Sequence, residues 1–190
     1  MNRLLSVALV AAALVACKQD PASSTFVGNP TMRARIADNA TQEVISGEMD
    51  ALEVLLATCA QREGGGGNEP LGPMRLSFEG DTATEPIELV PGDHCGLWFV
   101  VKDFVFTYED DGLETTVRVD NFDLYLDIPF AAERDGSYEL RFGGDTWLAD
   151  LAELVDPGSE VVIYERDGTE LADLFFDGLI EDSTVTRISP

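Results

Sequence analysis

The chain has 190 residues and a formal net charge of −24 at pH 7, because 36 aspartate and glutamate residues stand against 12 lysine and arginine residues. Such a charge repels nucleic acid and anionic lipid headgroups, since both are bound through clustered lysine and arginine side chains. Apolar residues make up 45% of the chain, which is enough for a buried core and is not the composition of a disordered protein.

The first seventeen residues form an export signal. Arg3 precedes the apolar run 4–16, which is short for a membrane-spanning helix, and Leu14-Val15-Ala16 leads directly into Cys17. This segment resembles the lipobox of bacterial lipoproteins. The resemblance implies cleavage before Cys17 and acylation of that cysteine. By the sorting rule of enteric bacteria, Lys18 in place of aspartate favours the outer membrane over the inner one.

Cleavage divides the chain into three parts: a signal peptide over 1–16, a lipidated N-terminus and tether over 17–25, and a single β-rich domain over 26–190. The tether is polar, with small residues and one proline, and has nothing to bury. Each acyl methylene contributes about 0.8 kcal/mol when it is buried, so a multiply acylated protein stays on the membrane without a spanning helix. We therefore expect a cell-envelope protein held by its lipid.

Alternating apolar and polar residues predict short strands along most of the domain. Segment 48–58 fits a helix or a strand, and the placement of Leu52, Val54 and Leu56 on one face favours a strand. The apolar run 96–108 is typical of a central strand, or of two strands meeting at a bend. Other predicted strands cover 32–37, 73–79, 87–91, 122–128, 138–142 and 160–164.

A hairpin turn is predicted at Asp110-Asp111-Gly112, because aspartate and glycine accept the positive φ that short hairpins need. The turn joins the strands 104–109 and 113–119, which we expect to pair antiparallel.

One short helix is predicted over 145–155, with an apolar stripe, Asp145 as its N-cap and Pro157-Gly158 as its stop. Segment 169–180 also has helical spacing, although Gly178 weakens that interpretation. Eight or more strands with one or two short helices predict a mainly β domain, an antiparallel β-sandwich or a barrel-like sheet.

Two cysteines remain once Cys17 is committed to lipid. Cys59 and Cys95 form an even pair in an exported protein, which predicts a disulfide. A metal site that combines both with His94 is the weaker hypothesis. Zinc needs three or four ligands, and neighbouring residues on an extended chain point to opposite faces.

Motifs for catalysis are missing from the sequence. It contains one histidine and neither Gly-x-Ser-x-Gly, nor a phosphate-binding loop, nor His-Glu-x-x-His. The usual general base and the usual nucleophiles are therefore scarce. We expect a protein that is not an enzyme and has no cofactor.

Calcium is the alternative interpretation of the acidic residues, since this ion takes six to eight oxygen ligands. The candidate ligands are Asp110, Asp111, Asp120 and Asp123, although polar hairpin turns explain the same clusters.

We predict a lipid-anchored envelope protein with a binding or structural role. The alternatives are a calcium-dependent adhesion or carbohydrate-binding module and, less favoured, a carboxylate-based hydrolase.

Overall fold

The computed structural model describes residues 28–59, 67–165 and 168–188, so the signal peptide and Cys17 lie outside the described residues. These ranges contain eleven strands and two helices. The strands are β1 Thr31–Ile36, β2 Gln42–Thr58, β3 Asn68–Glu79, β4 Thr82–Ala83, β5 Ile87–Glu88, β6 Gly92–Asp110, β7 Leu113–Leu126, β8 Phe130–Ala132, β9 Ser137–Phe142, β10 Glu160–Ile163 and β11 Thr184–Ile188; the helices are α1 Trp147–Leu154 and α2 Glu170–Glu181.

The strands form one curled sheet, a half-barrel. Nine strands follow the order β10-β7-β6-β2-β3-β4-β1-β9-β11, while β5 pairs with β1 and β8 pairs with β6. The prediction of a mainly β domain with one or two short helices is confirmed, and of the two predicted architectures the barrel-like sheet is present instead of the sandwich. The prediction of antiparallel pairing holds for most of the strand pairs but not for all. The pairing is mixed, because β1 with β9 and β10 with β7 run parallel. Parallel neighbours need long connections, and here the intervening chain supplies them.

Three long strands, β2, β6 and β7, make up the centre of the sheet. β6 has 19 residues and lies between the other two, so the apolar run forms one central strand. Segment 48–58 is a strand, but the prediction that Leu52 shares a face with Val54 and Leu56 is wrong. The register of β2 shifts between Ala51 and Val54, and this bulge turns Leu52 outward while the other two stay buried.

The predicted hairpin between β6 and β7 is confirmed. Asp110 pairs with Leu113, and the two residues between them, Asp111 and Gly112, have φ of 51° and 80°. Positive φ at both central residues is the geometry of a tight two-residue hairpin. β7 then continues as one strand through Asn121, where two separate segments are predicted from the sequence.

The core lies between the inner face of the sheet and the two helices. The ring of Phe175 in α2 lies 5.5 Å from that of Trp147 in α1, and 6.4 Å from those of Phe104 and Phe106 in β6. Phe176 meets Phe122 of β7 at 5.4 Å. The helices therefore cover the open side of the half-barrel. Neither helix in the described ranges is long and apolar enough to cross a membrane.

The helix boundaries show how local sequence and packing combine. The hydroxyl of Thr169 accepts a hydrogen bond from the Ala172 backbone N–H and so caps α2. In α1 the predicted N-cap is wrong: Thr146 holds that position without a side-chain bond. The Asp145 carboxylate instead accepts a hydrogen bond from the guanidinium of Arg141, with which it also forms an ion pair. It therefore does not cap the helix.

Candidate functional site: a cleft on the convex face of the sheet

The four predicted calcium ligands fall into two groups. Asp110 and Asp111 lie at the tip of the β6–β7 hairpin, where Asp110 accepts a hydrogen bond from the Gln42 side chain at 2.8 Å. Asp120 and Asp123 lie further along β7, and seven residues of strand, about 23 Å, separate Asp120 from the tip. In the part of the chain that the structure describes, no group of three or more histidine, cysteine, aspartate or glutamate residues could hold a metal ion.

An irregularity in β7 brings Asp120 and Asp123 to the same face. Asn121 has a φ of 51°, and the regular register of β6 with β7 skips Asn121 and Lys102. Alternation would place residues three apart on opposite faces. Here both aspartates face outward, whereas Phe122 between them is buried. Irregularities of this kind re-aim side chains and are common beside functional sites.

A cleft opens on the convex face around this irregularity. Two depressions with volumes of about 240 and 390 Å³ share Asn121 and Glu165. We define the convex-face cleft by the side chains that line them from β2, β6, β7 and the segment after β10: Leu52, Val100, Asp120, Asn121, Asp123, Tyr164 and Glu165.

The end of β10 creates the space at one side of the cleft. β10 pairs with β7 only over Glu160–Ile163, with Ile163 opposite Val119. Within the described ranges, no strand pairs with β7 on that side beyond this point. The larger depression lies where the two strands separate.

Exposed apolar side chains surround the cleft. Leu52 is 57% exposed, Tyr164 is 49% exposed and Tyr125 is 45% exposed. Tyr125 belongs to a row that crosses three strands in register, in which Leu55 faces Trp98 and Trp98 faces Tyr125. Single exposed apolar residues are normal on a protein surface, but several of them along one cleft are typical of an interaction site.

The cations near the cleft are already paired with acids that do not line it. One Arg118 nitrogen lies 3.1 Å from each carboxylate oxygen of Asp103, and the Lys102 ammonium lies 3.4 Å from Asp50. Among the described residues, no ion pair neutralises Asp123 or Glu165. The lining of the cleft is therefore negative and open to a cation.

The surroundings of Asp120 in the cleft perturb its ionisation. Burial raises its pKa, and the hydrogen bond and negative charge of Asp103 opposite raise it further, while Arg118 partly offsets both effects. A nearby like charge makes the ionised form less favourable.

The predicted cysteine pair lies at the other end of β2 and β6. Cys59 and Cys95 are joined by a disulfide, with their Cα atoms 4.8 Å apart. His94 is only 2% exposed, and its Nε2 lies 2.8 Å from the Val90 carbonyl oxygen. Its ring packs 5.2 Å from that of Phe130. This geometry favours the disulfide over the metal-site hypothesis.

Sequence reasoning missed most of the cleft. Leu52 is expected on the same face as Val54 and Leu56, and Glu165 belongs to no motif. The one visible signal is the break in alternation at Asp120-Asn121-Phe122-Asp123, where two acids flank an apolar residue at irregular spacing.

No protein-family model matches the chain, and comparisons with the curated proteins and with the solved structures give no match either.

Proposed function

We propose that this protein is a lipid-anchored component of the cell envelope that binds a partner at the convex-face cleft. The lipobox that ends at Cys17 supports the location. The Cys59–Cys95 disulfide fits an oxidising compartment outside the cytoplasm. The binding role rests on one observation, the exposure of Leu52 and Tyr164 at the two ends of a cleft of the sheet.

The position of the first described residue supports this arrangement. The described chain begins at Gly28, whose backbone N–H donates to the Asp135 carboxylate near β1 and β9. Four strands, β4, β3, β2 and β6, lie between β1 and β7 in the sheet. At about 4.8 Å per strand spacing, β1, near which the described chain begins, lies five spacings or roughly 24 Å along the sheet from β7. A partner bound at β7 would therefore not cover this first strand.

Site-specific photo-crosslinking tests the binding role. A photoreactive residue replaces Leu52 in the lipidated full chain, and the matched control carries it at Leu113, which is 51% exposed at the hairpin tip. In envelope vesicles we expect adducts from position 52 and few from position 113. Equal yields at the two positions, or no adduct at either, would contradict a binding role for the cleft.

A further inference from the structure

We infer that the occupant of the convex-face cleft is a cationic, extended segment of another protein, with lysine or arginine side chains next to apolar ones. This inference rests on the proposed function and adds the chemical class of the partner.

Charge complementarity is the first argument. Asp123 and Glu165 line the cleft with no paired cation among the described residues, and Asp120 lines the larger depression together with Glu165. Arg166 and Asp167, which follow Glu165 in the sequence, cancel each other in formal charge. A partner that brings lysine or arginine supplies the opposite charge that this surface lacks.

The raised pKa of Asp120 agrees with this assignment. Its ionised form is disfavoured by burial and by Asp103 opposite. A cation placed beside it reverses this effect, because an opposite charge nearby favours the ionised form.

The apolar side chains that line the cleft favour a protein segment over a free cation as the occupant. Leu52 and Val100 lie on the β2 and β6 side, and Tyr164 lies at the far end. These elements span three strand spacings, about 14 Å, which an extended peptide of four or five residues matches. A small cation would leave the exposed Leu52 uncovered.

The net charge of the chain argues against two other occupants. A second copy brings the same net charge of −24 to the interface, and an anionic lipid surface repels the same carboxylates. The crosslinking experiment distinguishes these two occupants, since it would give adducts of the chain with itself or with lipid.

The experiment measures fluorescence anisotropy of a labelled peptide, acetyl-Lys-Val-Lys-Val-Lys-Val-amide, on the mature lipidated chain in non-ionic detergent at about 0.15 M sodium chloride. The comparison peptide replaces every lysine with glutamate. We expect saturable binding of the lysine peptide alone. Equal binding of the glutamate peptide would overturn the inference.

Matched variants locate the binding. Asp123→Asn with Glu165→Gln removes two charges inside the cleft, whereas Glu43→Gln with Glu109→Gln removes two from an exposed pair that faces across β2 and β6 near the hairpin. We expect the first variant to weaken binding about fivefold and the second by less than about 1.5-fold. Equal weakening by both would show that only the net charge attracts the peptide.

Leu52→Ser tests the apolar contact, with Leu113→Ser as its control of similar exposure. We expect about a threefold loss of affinity for the first and none for the second.

The crosslinking and peptide experiments together separate the two proposals. Adducts from position 52 without any lysine-peptide binding would support the proposed function and overturn the assignment of a cationic partner. Adducts of the chain with itself would identify a second copy as the occupant, and adducts with lipid would identify the membrane.

Discussion

Asp103 and Asp120 stand directly opposite each other on β6 and β7, and both side chains lie on the convex face of the sheet. Like charges in this position destabilise a strand pair. Arg118 compensates in part, because its guanidinium binds both oxygens of Asp103. The repulsion between Asp103 and Asp120 therefore destabilises the strand pair at the edge of the cleft, and a substitution that removes one of the two charges should relieve it.

Asp120→Asn should raise the midpoint of thermal unfolding at pH 7 by roughly 1–4 °C. The folded-state pKa of Asp120 lies above its unfolded value, because burial and Asp103 both disfavour the ionised form. Its destabilising effect develops as the pH rises from the ordinary aspartate range through the raised folded pKa, and it is complete above that pKa. The advantage of the variant should therefore shrink as the pH falls through this window and vanish below it.

Asp123→Asn is the control for that measurement. It removes the same charge from the same strand, but Asp123 faces Val100 instead of a carboxylate. An equal gain in both variants would show that net charge, and not the contact with Asp103, sets the effect.

Gly178→Ala should destabilise the domain by about 1–3 kcal/mol, although alanine is the better helix former. A Cβ at position 178 would overlap the indole ring of Trp147, which packs against α2. Chemical denaturation measures the loss. The double variant with Trp147→Phe should recover part of it, because the smaller ring leaves room for the methyl group. Greater stability of the single variant would contradict the packing described here.

Replacing Cys59 and Cys95 together with alanine should cost about 4 kcal/mol of unfolding free energy in the chain-entropy model, since the disulfide closes a loop across a sequence separation of 36. Mass spectrometry of the intact mature chain should show a mass lower than that of the reduced form by two hydrogen atoms, which disulfide formation removes as two protons and two electrons. Two thiols that alkylate without prior reduction would refute the pairing.

Cys17→Ser should abolish acylation, because serine cannot form the thioether that the lipobox resemblance implies. Detergent partitioning should move the variant from the detergent phase to the aqueous phase. A serine variant that stays in the membrane fraction after a high-salt wash would disprove the lipoprotein assignment.

Sodium chloride should raise the thermal stability of the domain, because salt screens the repulsion within a chain of net charge −24. Calcium added at millimolar concentration in about 0.5 M sodium chloride should then produce no further shift, since exposed charges are already screened. A shift that saturates with calcium would support the calcium-dependent alternative, because a specific ligand stabilises the native state by mass action.

The strands differ in whether the local sequence pattern predicts them. The period-two alternation identifies β1 and β9, the β-branched residues identify β10, and Asp111-Gly112 identifies the hairpin, because each signal depends on residues that are neighbours in the chain. β11 escapes prediction, since four of its five residues are exposed and its pairing with β9 is a tertiary contact. Gly178 weakens the helix prediction for 169–180, but the glycine is present because the Trp147 ring leaves no room for a Cβ. That contact is tertiary and is not visible in the local sequence.

The sequence by itself determined the β-rich composition, the cysteine pair and the excess of acidic residues, because these depend on residue type and local spacing, and it predicts the export signal in the same way. Only the tertiary structure decided that the sheet curls into one half-barrel, that Leu52 faces solvent and that Asp120 lies opposite Asp103. The physical reason is that a bulge or a register shift changes which face a side chain occupies while leaving its local sequence pattern unchanged. The cleft lies where β2 shifts its register against β3 and β6 and where β7 changes its alternation at Asn121, so the pattern of one segment could not predict it.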